Sequence, residues 1–341
     1  MANIAEPIPT SARPTWLSSE TIAFAVMVAI LVIAPAFLYP VSLMKALCFA
    51  LFACAFNLLI GYVGLLSFGH ALFFGWAAYV SAHLAKVGTI SLPFWIGSWK
   101  WLVIPLPPMS PEFAILGGTL VAALLGLIAG AIAIRRQGIY FAMITLALAQ
   151  MMYFFAVQAP FTHGEDGIQA VPRGWLFGVF SLTDQTAMYI TVLVIFLGGF
   201  LLIYRVINSP FGEVLKAIRE NEPRAISLGY KTERYKLLAF VLSATLAGTA
   251  GATKAIVFQL ASLTDVDWPM SGEVVLMTLV GGLGTVFGPV VGAFIVIAMQ
   301  DNLAQYGQWV LVIQGVIFVA CVLLFRRGVV GELAHYFRIR L

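Results

Sequence analysis

Polar side chains that interrupt the long apolar runs of this chain are the places where chemistry must be sought. Asn57, Ser67, His70 and Thr145 are the clearest of them. An ionisable group such as His70 inside an apolar run is a functional hypothesis by default. Together these groups suit a passage with apolar walls and a few polar contacts for a small solute. The competing reading is that they hydrogen-bond between packed helices. Glycine marks the same regions: Gly61, Gly64, Gly69 and Gly75 early in the chain, and Gly281, Gly282, Gly284, Gly288 and Gly292 with Pro289 late in it. Gly and Pro at membrane depth are tolerated where protein or a water-lined cavity satisfies the freed backbone groups, so the late block is a candidate pathway wall. The spacing of Gly61, Gly64, Phe68 and Gly69 differs by one residue from that of Gly281, Gly284, Phe287 and Gly288, which hints at an internal repeat around a transport site.

Catalytic chemistry finds no footing. Gly251-Ala-Thr-Lys254 lacks the full spacing of a phosphate-binding loop and lies in an apolar run, so this chain is not expected to hydrolyse ATP. There is no His-Cys metal cluster, and no Ser-His-Asp set can be read. Cys48, Cys54 and Cys321 lie in apolar runs and read as small core hydrophobes, without metal-ligand spacing or a disulfide framework. No catalytic residue, metal or cofactor is therefore expected in this chain.

The elements that must position these residues are spans. Hydrophobic residues make up 61% of the 341 and charged residues 10%, against about 25% in a soluble domain. Apolar runs near 21–38, 41–60, 66–85, 113–134, 138–158, 186–204, 237–258, 273–303 and 308–325 reach or approach the roughly 20 residues that cross a bilayer. The class is all-α, a polytopic helical membrane protein with about 8–10 transmembrane or re-entrant segments. Residues 1–20 read as a short cytoplasmic tail without the features of a cleaved signal, 21–325 as the membrane domain, and 326–341 as a basic cytoplasmic tail.

Basic residues set the orientation. Arg13, Arg135, Arg136, the segment 205–236, and Arg326, Arg327, Arg338 and Arg340 hold 14 of the 19 Lys and Arg. The charge of +4 is explained by that bias, and no nucleic acid is implied. On the other side lie Trp95, Trp99 and Trp101 at headgroup level, then Glu165, Asp166 and Asp184, then Asp265 and Asp267. The external acids Glu165, Asp166, Asp265 and Asp267 are candidate docking points for a soluble protein. Parity requires an odd number of crossings between the 259–272 loop and the C-terminal tail, so the 273–303 block is expected to split into two crossings or a crossing plus a re-entrant segment.

Arg205 to Lys236 is the one long charge-dense segment, with seven basic residues and four acids. Ser209 followed by Pro210 predicts a helix start. Phe211, Val214, Leu215 and Ile218 then share a face. Pairs Lys216–Glu220 at i, i+4 and Arg219–Glu222 at i, i+3 are expected. Pro223 ends that helix and opens a second, with Ala225, Ile226 and Leu228 apolar and Gly229 as its stop. Two short helices with an elbow near 221–223 must pack on a soluble partner or a membrane surface, and the interspersed acids argue against the membrane.

Residues 209–222, Ser-Pro-Phe-Gly-Glu-Val-Leu-Lys-Ala-Ile-Arg-Glu-Asn-Glu, resemble the ATPase-contacting loop of ABC importer permeases of the branched-chain amino acid type. Residues 57–71, 137–146 and 280–289 are similar to the same family, in the same order, and the stretch 162–168 points to its "M" member. The resemblance runs from about 40 to 325. It implies a heterodimer with a second homologous permease, two cytoplasmic P-loop ATPases that bind ATP and Mg, and an extracytoplasmic substrate-binding protein, in a bacterial inner membrane. It implies contact with the ATPase through Phe211, Gly212, Lys216, Arg219, Glu220, Glu222, Ala225 and Gly229. A translocation path for a zwitterionic amino acid would be drawn from Asn57, Ser67, Gly69, His70, Thr145, Gly281, Gly282 and Gly284. Three departures stand out: Glu213 where Arg is common, Pro223 within the second helix, and His163 with Glu165 where small residues are usual. Relatives carry urea, short amides or aromatic amino acids. A stand-alone carrier is the rival class, and it usually shows membrane-embedded acids. The spans read as nearly free of acids, with Glu273 and Asp301 near edges.

Overall fold

The computed structural model describes residues 19–86, 89–91, 103–105, 108–178, 180–324 and 328–336. Residues 1–18, Trp95, Trp99, Trp101 and Arg326, Arg327, Arg338 and Arg340 lie outside the described residues.

A backbone in lipid must satisfy its own polar groups, and the apolar runs do so as helices. They form α1 (Ser19–Ile33), α2 (Pro40–Tyr62), α3 (His70–Lys86), α4 (Pro111–Ala133), α5 (Ile139–Gln158) and α6 (Gln185–Ile207). Two short helices follow, α7 (Pro210–Glu220) and α8 (Glu222–Ser227). Then come α9 (Thr232–Phe258), α10 (Trp268–Gly281), α11 (Gly288–Leu303), α12 (Val310–Leu324) and α13 (Gly328–Tyr336). Five of them, α2, α4, α5, α6 and α9, are long and apolar enough to cross a membrane alone. The expected polytopic all-α class is observed.

Successive spans alternate between two ends of the bundle. One end carries α7, α8 and α13 and is called the loop end here; the other is the far end. The 273–303 run is broken into two helices that form a hairpin. Its arms are α10 and α11, and its tip is 282–287, where Gly282 (φ 123°) and Gly284 (φ 74°) take left-handed backbone conformations. A Cβ on Gly292 would strike the Met277 carbonyl, and one on Gly281 would strike the Gly288 carbonyl, so the arms run antiparallel in backbone contact. With α12 this makes three passes after residue 267. The expected span at 66–85 starts late, at His70, because Gly64 (φ 79°) turns the chain inward and residues 63–69 enter as a non-helical segment.

Small residues set the core. α2 has 89% of its most apolar window buried and α9 72%, whereas α4, α5 and α6 have 28–33%. Gly248 and Gly251 of α9 let that helix touch Ala122 of α4 and the Phe74 carbonyl of α3, and Gly118 of α4 meets the Ala77 carbonyl of α3. Such close approach is how helices associate where no hydrophobic force drives them together. At the far end residues 159–182 form a cap. Ile168 and Gln169 pair antiparallel with Ala261 and Leu260. The Lys86 ammonium donates to the Gln169 carbonyl (2.6 Å) and Arg173 to the Val257 carbonyl (2.9 Å).

Candidate functional site

The charge-dense loop folds as two capped helices. Ser209 Oγ accepts from Gly212 N at the start of α7, with Pro210 in the first turn. Asn221 breaks the chain between them: its N–H ends α7 on the Ala217 carbonyl, and its Oδ1 caps α8 at Arg224 N (3.1 Å). Gly229 (φ 90°) ends α8.

The inner face of the loop is closed onto the bundle. Leu215, Ile218 and Ala225 are buried, Phe211 stacks on Tyr235 with ring centres 5.6 Å apart, and Gly212 backs onto the Ile207 carbonyl. The outward surface is polar on α7 and apolar on α8. Glu220 is exposed, as are Ile226 (55%), Leu228 (70%) and Tyr230 (42%).

Both expected charge pairs are replaced. Lys216 pairs with Glu213 (2.8 Å), a first-turn acid well placed for the helix dipole, and not with Glu220. Arg219 and Glu222 do not share a face, because Asn221 interrupts the helix between them. Instead Arg219 reaches the Gly61 carbonyl at the end of α2, its stem covering Gly64. Glu222 turns to the buried Lys236 of α9 and also accepts from Gln137 Nε2 (2.8 Å) before α5.

Arg219 thereby sits on a junction of the two glycine blocks. Gly61 packs on Gly284, where any Cβ would meet the Gly284 backbone. Asn57 binds the hairpin tip twice: Nδ2 donates to the Thr285 carbonyl (2.9 Å) and Oδ1 accepts from Gly284 N (3.0 Å). Gly282 lies next to Gly328 of α13. Asn57, Gly281, Gly282 and Gly284 are thus brought together at the loop end. Asn57→Ala strips a half-buried N–H and a half-buried carbonyl of their partner at once, so a loss of about 1–3 kcal/mol is expected. A thermal melt of the purified chain in detergent checks it, and an unchanged midpoint would show that the tip does not need Asn57.

The remaining candidates cluster about one helical start deeper in the bundle. Phe68 N donates to Thr145 Oγ1 (3.2 Å), Gly69 N to Ser67 Oγ (3.2 Å), and Gly69 lies against the Thr145 carbonyl. His70 Nε2 and Ser243 Oγ are 2.9 Å apart, and Ser243 donates onward to the Ala55 carbonyl. The His70 ring meets Phe56, Phe73 and Phe240 edge to face, with centres 5.0, 5.6 and 5.9 Å apart. Ser67, His70, Thr145 and Ser243 are fully buried, so this cluster is closed in the present conformation.

Sequence reasoning named the acids of the far half but missed their partners. Asp265, read as an exposed docking acid, is 1% exposed and pairs with Lys254, because 259–267 dips inward against Gly75. Glu273 is bonded to Gln300 across the hairpin, and Asp301 of α11 takes both Lys45 (3.2 Å) and Ser42 (2.6 Å) of α2. Glu273 lies near the start of α10 and Asp301 near the end of α11, as expected, and each has a partner. Lys254 inside an apolar run was the available signal. Glu165 and Asp166 remain exposed on the cap. Among the described residues no group of His, Cys, Asp and Glu has the make-up of a metal site.

A model of the family described as branched-chain amino acid transport system, permease component, matches residues 41–323, nearly the whole bundle. The chain belongs to this family. It is 24% identical over 318 residues to the high-affinity branched-chain amino acid transport system permease protein LivM of Escherichia coli, covering 85% of this chain and 70% of the relative. The same figures hold for LivM of Salmonella typhimurium. A shorter match, 28% identical, links 34% of this chain to 35% of the probable branched-chain amino acid transport permease protein LivH of Methanocaldococcus jannaschii. No solved structure matches the chain significantly. The chain is a transport permease and an integral membrane protein, and the family resemblance read from residues 57–71, 137–146, 209–222 and 280–289, with the "M" type read from their order and from 162–168, agrees with these matches.

Proposed function

We propose that this permease is the half-channel subunit of an ATP-driven importer of branched-chain amino acids, paired with a second homologous permease as a heterodimer. Two cytoplasmic P-loop ATPases bind ATP and Mg and dock beneath α7 and α8. An extracytoplasmic binding protein delivers substrate to the far-end cap, where Glu165 and Asp166 are exposed. The loop end and both termini then face the cytoplasm of a bacterial cell, with 21–325 as the membrane domain between two short tails. Urea, short amides or aromatic amino acids are alternative cargo.

The supporting observation is the junction of Arg219 with Gly61, Gly64 and the Asn57-bound hairpin tip. It joins a loop facing water to both glycine breaks, so a displacement of α7 reaches the segments that must part for a path to open. Ser67, Gly69, His70 and Thr145 form the closed seam behind that junction. A soluble motor can bias the open and closed states only through surface that differs between them. Phe211, Gly212, Arg219, Glu222 and Ala225 carry the load inward, while Lys216, Glu220 and Gly229 flank the docking surface.

Leu228→Cys, 70% exposed in the free chain, is expected to cross-link to a cysteine on the ATPase in the assembled complex and to lose that cross-link when the ATPase is omitted. Absence of any ATPase adduct would defeat the docking assignment. The paired acids Asp265 and Glu273 favour a second reading, a self-sufficient carrier. Solute flux into liposomes holding this chain alone would establish that reading; the importer reading expects none.

A further inference from the structure

A groove of about 680 Å³ lies between the far-end starts of α4 and α6, roofed by the hairpin of Trp175–Leu176 and Phe180–Ser181. Its wall is apolar: Phe113 and Leu116 from α4, Ile190 and Val194 from α6, and Phe177 from the roof. All five are more than half exposed. Further along, the two helices keep apolar side chains exposed, Leu120 and Leu124 on α4 and Leu201 on α6. In a bilayer those side chains meet acyl chains.

Its upper end is different. Glu112 and Asp184 line it, and no lysine or arginine does among the described residues. Glu112 Oε1 is held by Ser110 Oγ (2.7 Å) and Phe177 N (3.3 Å). Glu112 Oε2 has no hydrogen-bond partner, a costly state for a carboxylate away from bulk water. Asp184 caps α6 with one oxygen, on Ala187 N, and is otherwise exposed. Phe177 and Phe180 line this end, and the adjacent exposed Trp175 is of a residue type enriched at membrane boundaries.

We propose that the groove is a binding site for one phospholipid of the surrounding bilayer whose headgroup carries a primary ammonium, of the phosphatidylethanolamine class. One acyl chain fills the channel between α4 and α6. The ammonium donates to the exposed Asp184 and its charge is complemented by the nearby Glu112 carboxylate, two anionic groups at headgroup depth without a competing cation among the described residues. A headgroup bearing only a phosphate and hydroxyls would bring negative charge against these carboxylates. A quaternary ammonium would bring charge without an N–H.

The test uses the permease assembled with its partner subunits, stripped of lipid in mild detergent. Phosphatidylethanolamine, phosphatidylglycerol and phosphatidylcholine are added in equal amounts, and bound lipid is read by native mass spectrometry. One phosphatidylethanolamine is expected to be retained about tenfold over either of the others, the ratio that one charge-assisted hydrogen bond supplies. Glu112→Gln with Asp184→Asn keeps the acceptor oxygens that hold Phe177 N and Ala187 N, and is expected to abolish the preference while leaving general lipid retention intact. Equal retention of phosphatidylglycerol by the unaltered protein would overturn the proposal without reference to any variant. So would a double variant that keeps its preference. Retention by the isolated chain but not by the complex would mean that the second permease covers the groove, and would overturn it too.

Discussion

Asp265→Ala is expected to destabilise the permease by about 3–5 kcal/mol, the scale found when one member of a buried ion pair is removed. Asp265 is 1% exposed, and the Lys254 side chain that pairs with it is 15% exposed, so the lysine is left without its acid in a site that is mostly closed to solvent. Lys254 also lies over the Phe74 ring, 5.8 Å from its centre, which compensates only weakly. Lys254→Met leaves the converse orphan, an acid already short of one partner at Oδ2, and is expected to cost as much. The double variant Lys254→Met with Asp265→Leu removes both charges and should recover most of the loss, since a buried pair replaced by apolar groups is often neutral. Thermal melts of the four proteins in one detergent check this. A single variant that melts with the unaltered chain would show that the pair is hydrated in the membrane.

Arg219→Ala is expected to lower ATP-driven uptake by at least about tenfold in proteoliposomes holding the whole complex, within the range of typical coupling energies. ATP hydrolysis and assembly should survive, because Arg219 lies on the exposed side of α7 and its removal leaves Leu215 and Ile218 in place. What disappears is the bond to the Gly61 carbonyl and the cover over Gly64. Lysine at the same position keeps the charge but not the reach of the planar fork, and is expected to restore uptake only in part. Glu222→Lys should uncouple similarly by repelling Lys236, and the exchange Glu222→Lys with Lys236→Glu should recover uptake. Undiminished uptake by Arg219→Ala would remove the junction from the mechanism.

The spans were legible because apolar runs of this length have one way to satisfy their backbone. The hairpin at 273–303 was legible through charge parity and through Gly281, Gly282 and Gly284, and α7 and α8 through Ser209, Pro210, Pro223 and Gly229. The side-chain pairing was not. Arg219 and Glu222 stand three residues apart, a spacing that promises a bond on an unbroken helix, and Asn221 sends each to a different distant partner. Asp265 was read as an external docking acid because residues 259–272 carry acids and no basic residue; here the loop folds back along α3, and its acid is buried against a lysine eleven residues earlier. His70 and Asn57 were correctly singled out as polar within apolar runs, but their partners Ser243 and Thr285 lie 173 and 228 residues away, beyond the reach of any local pattern.

α9 runs unbroken for 27 residues, about 40 Å of continuous helix. One end holds Lys236 against Glu222; near the other, Lys254 holds Asp265 and the Val257 carbonyl holds Arg173 of the cap. A hydrogen-bonded helix resists compression along its axis, so this one behaves as a pushrod with a charged clasp at each end. In the proposed importer a tilt imposed at the foot would be carried along this helix to the far end, and a grip tightened there would be felt at the foot. Traffic of this kind runs equally well in both directions, which would let the arrival of cargo on one side set the readiness of the engine on the other.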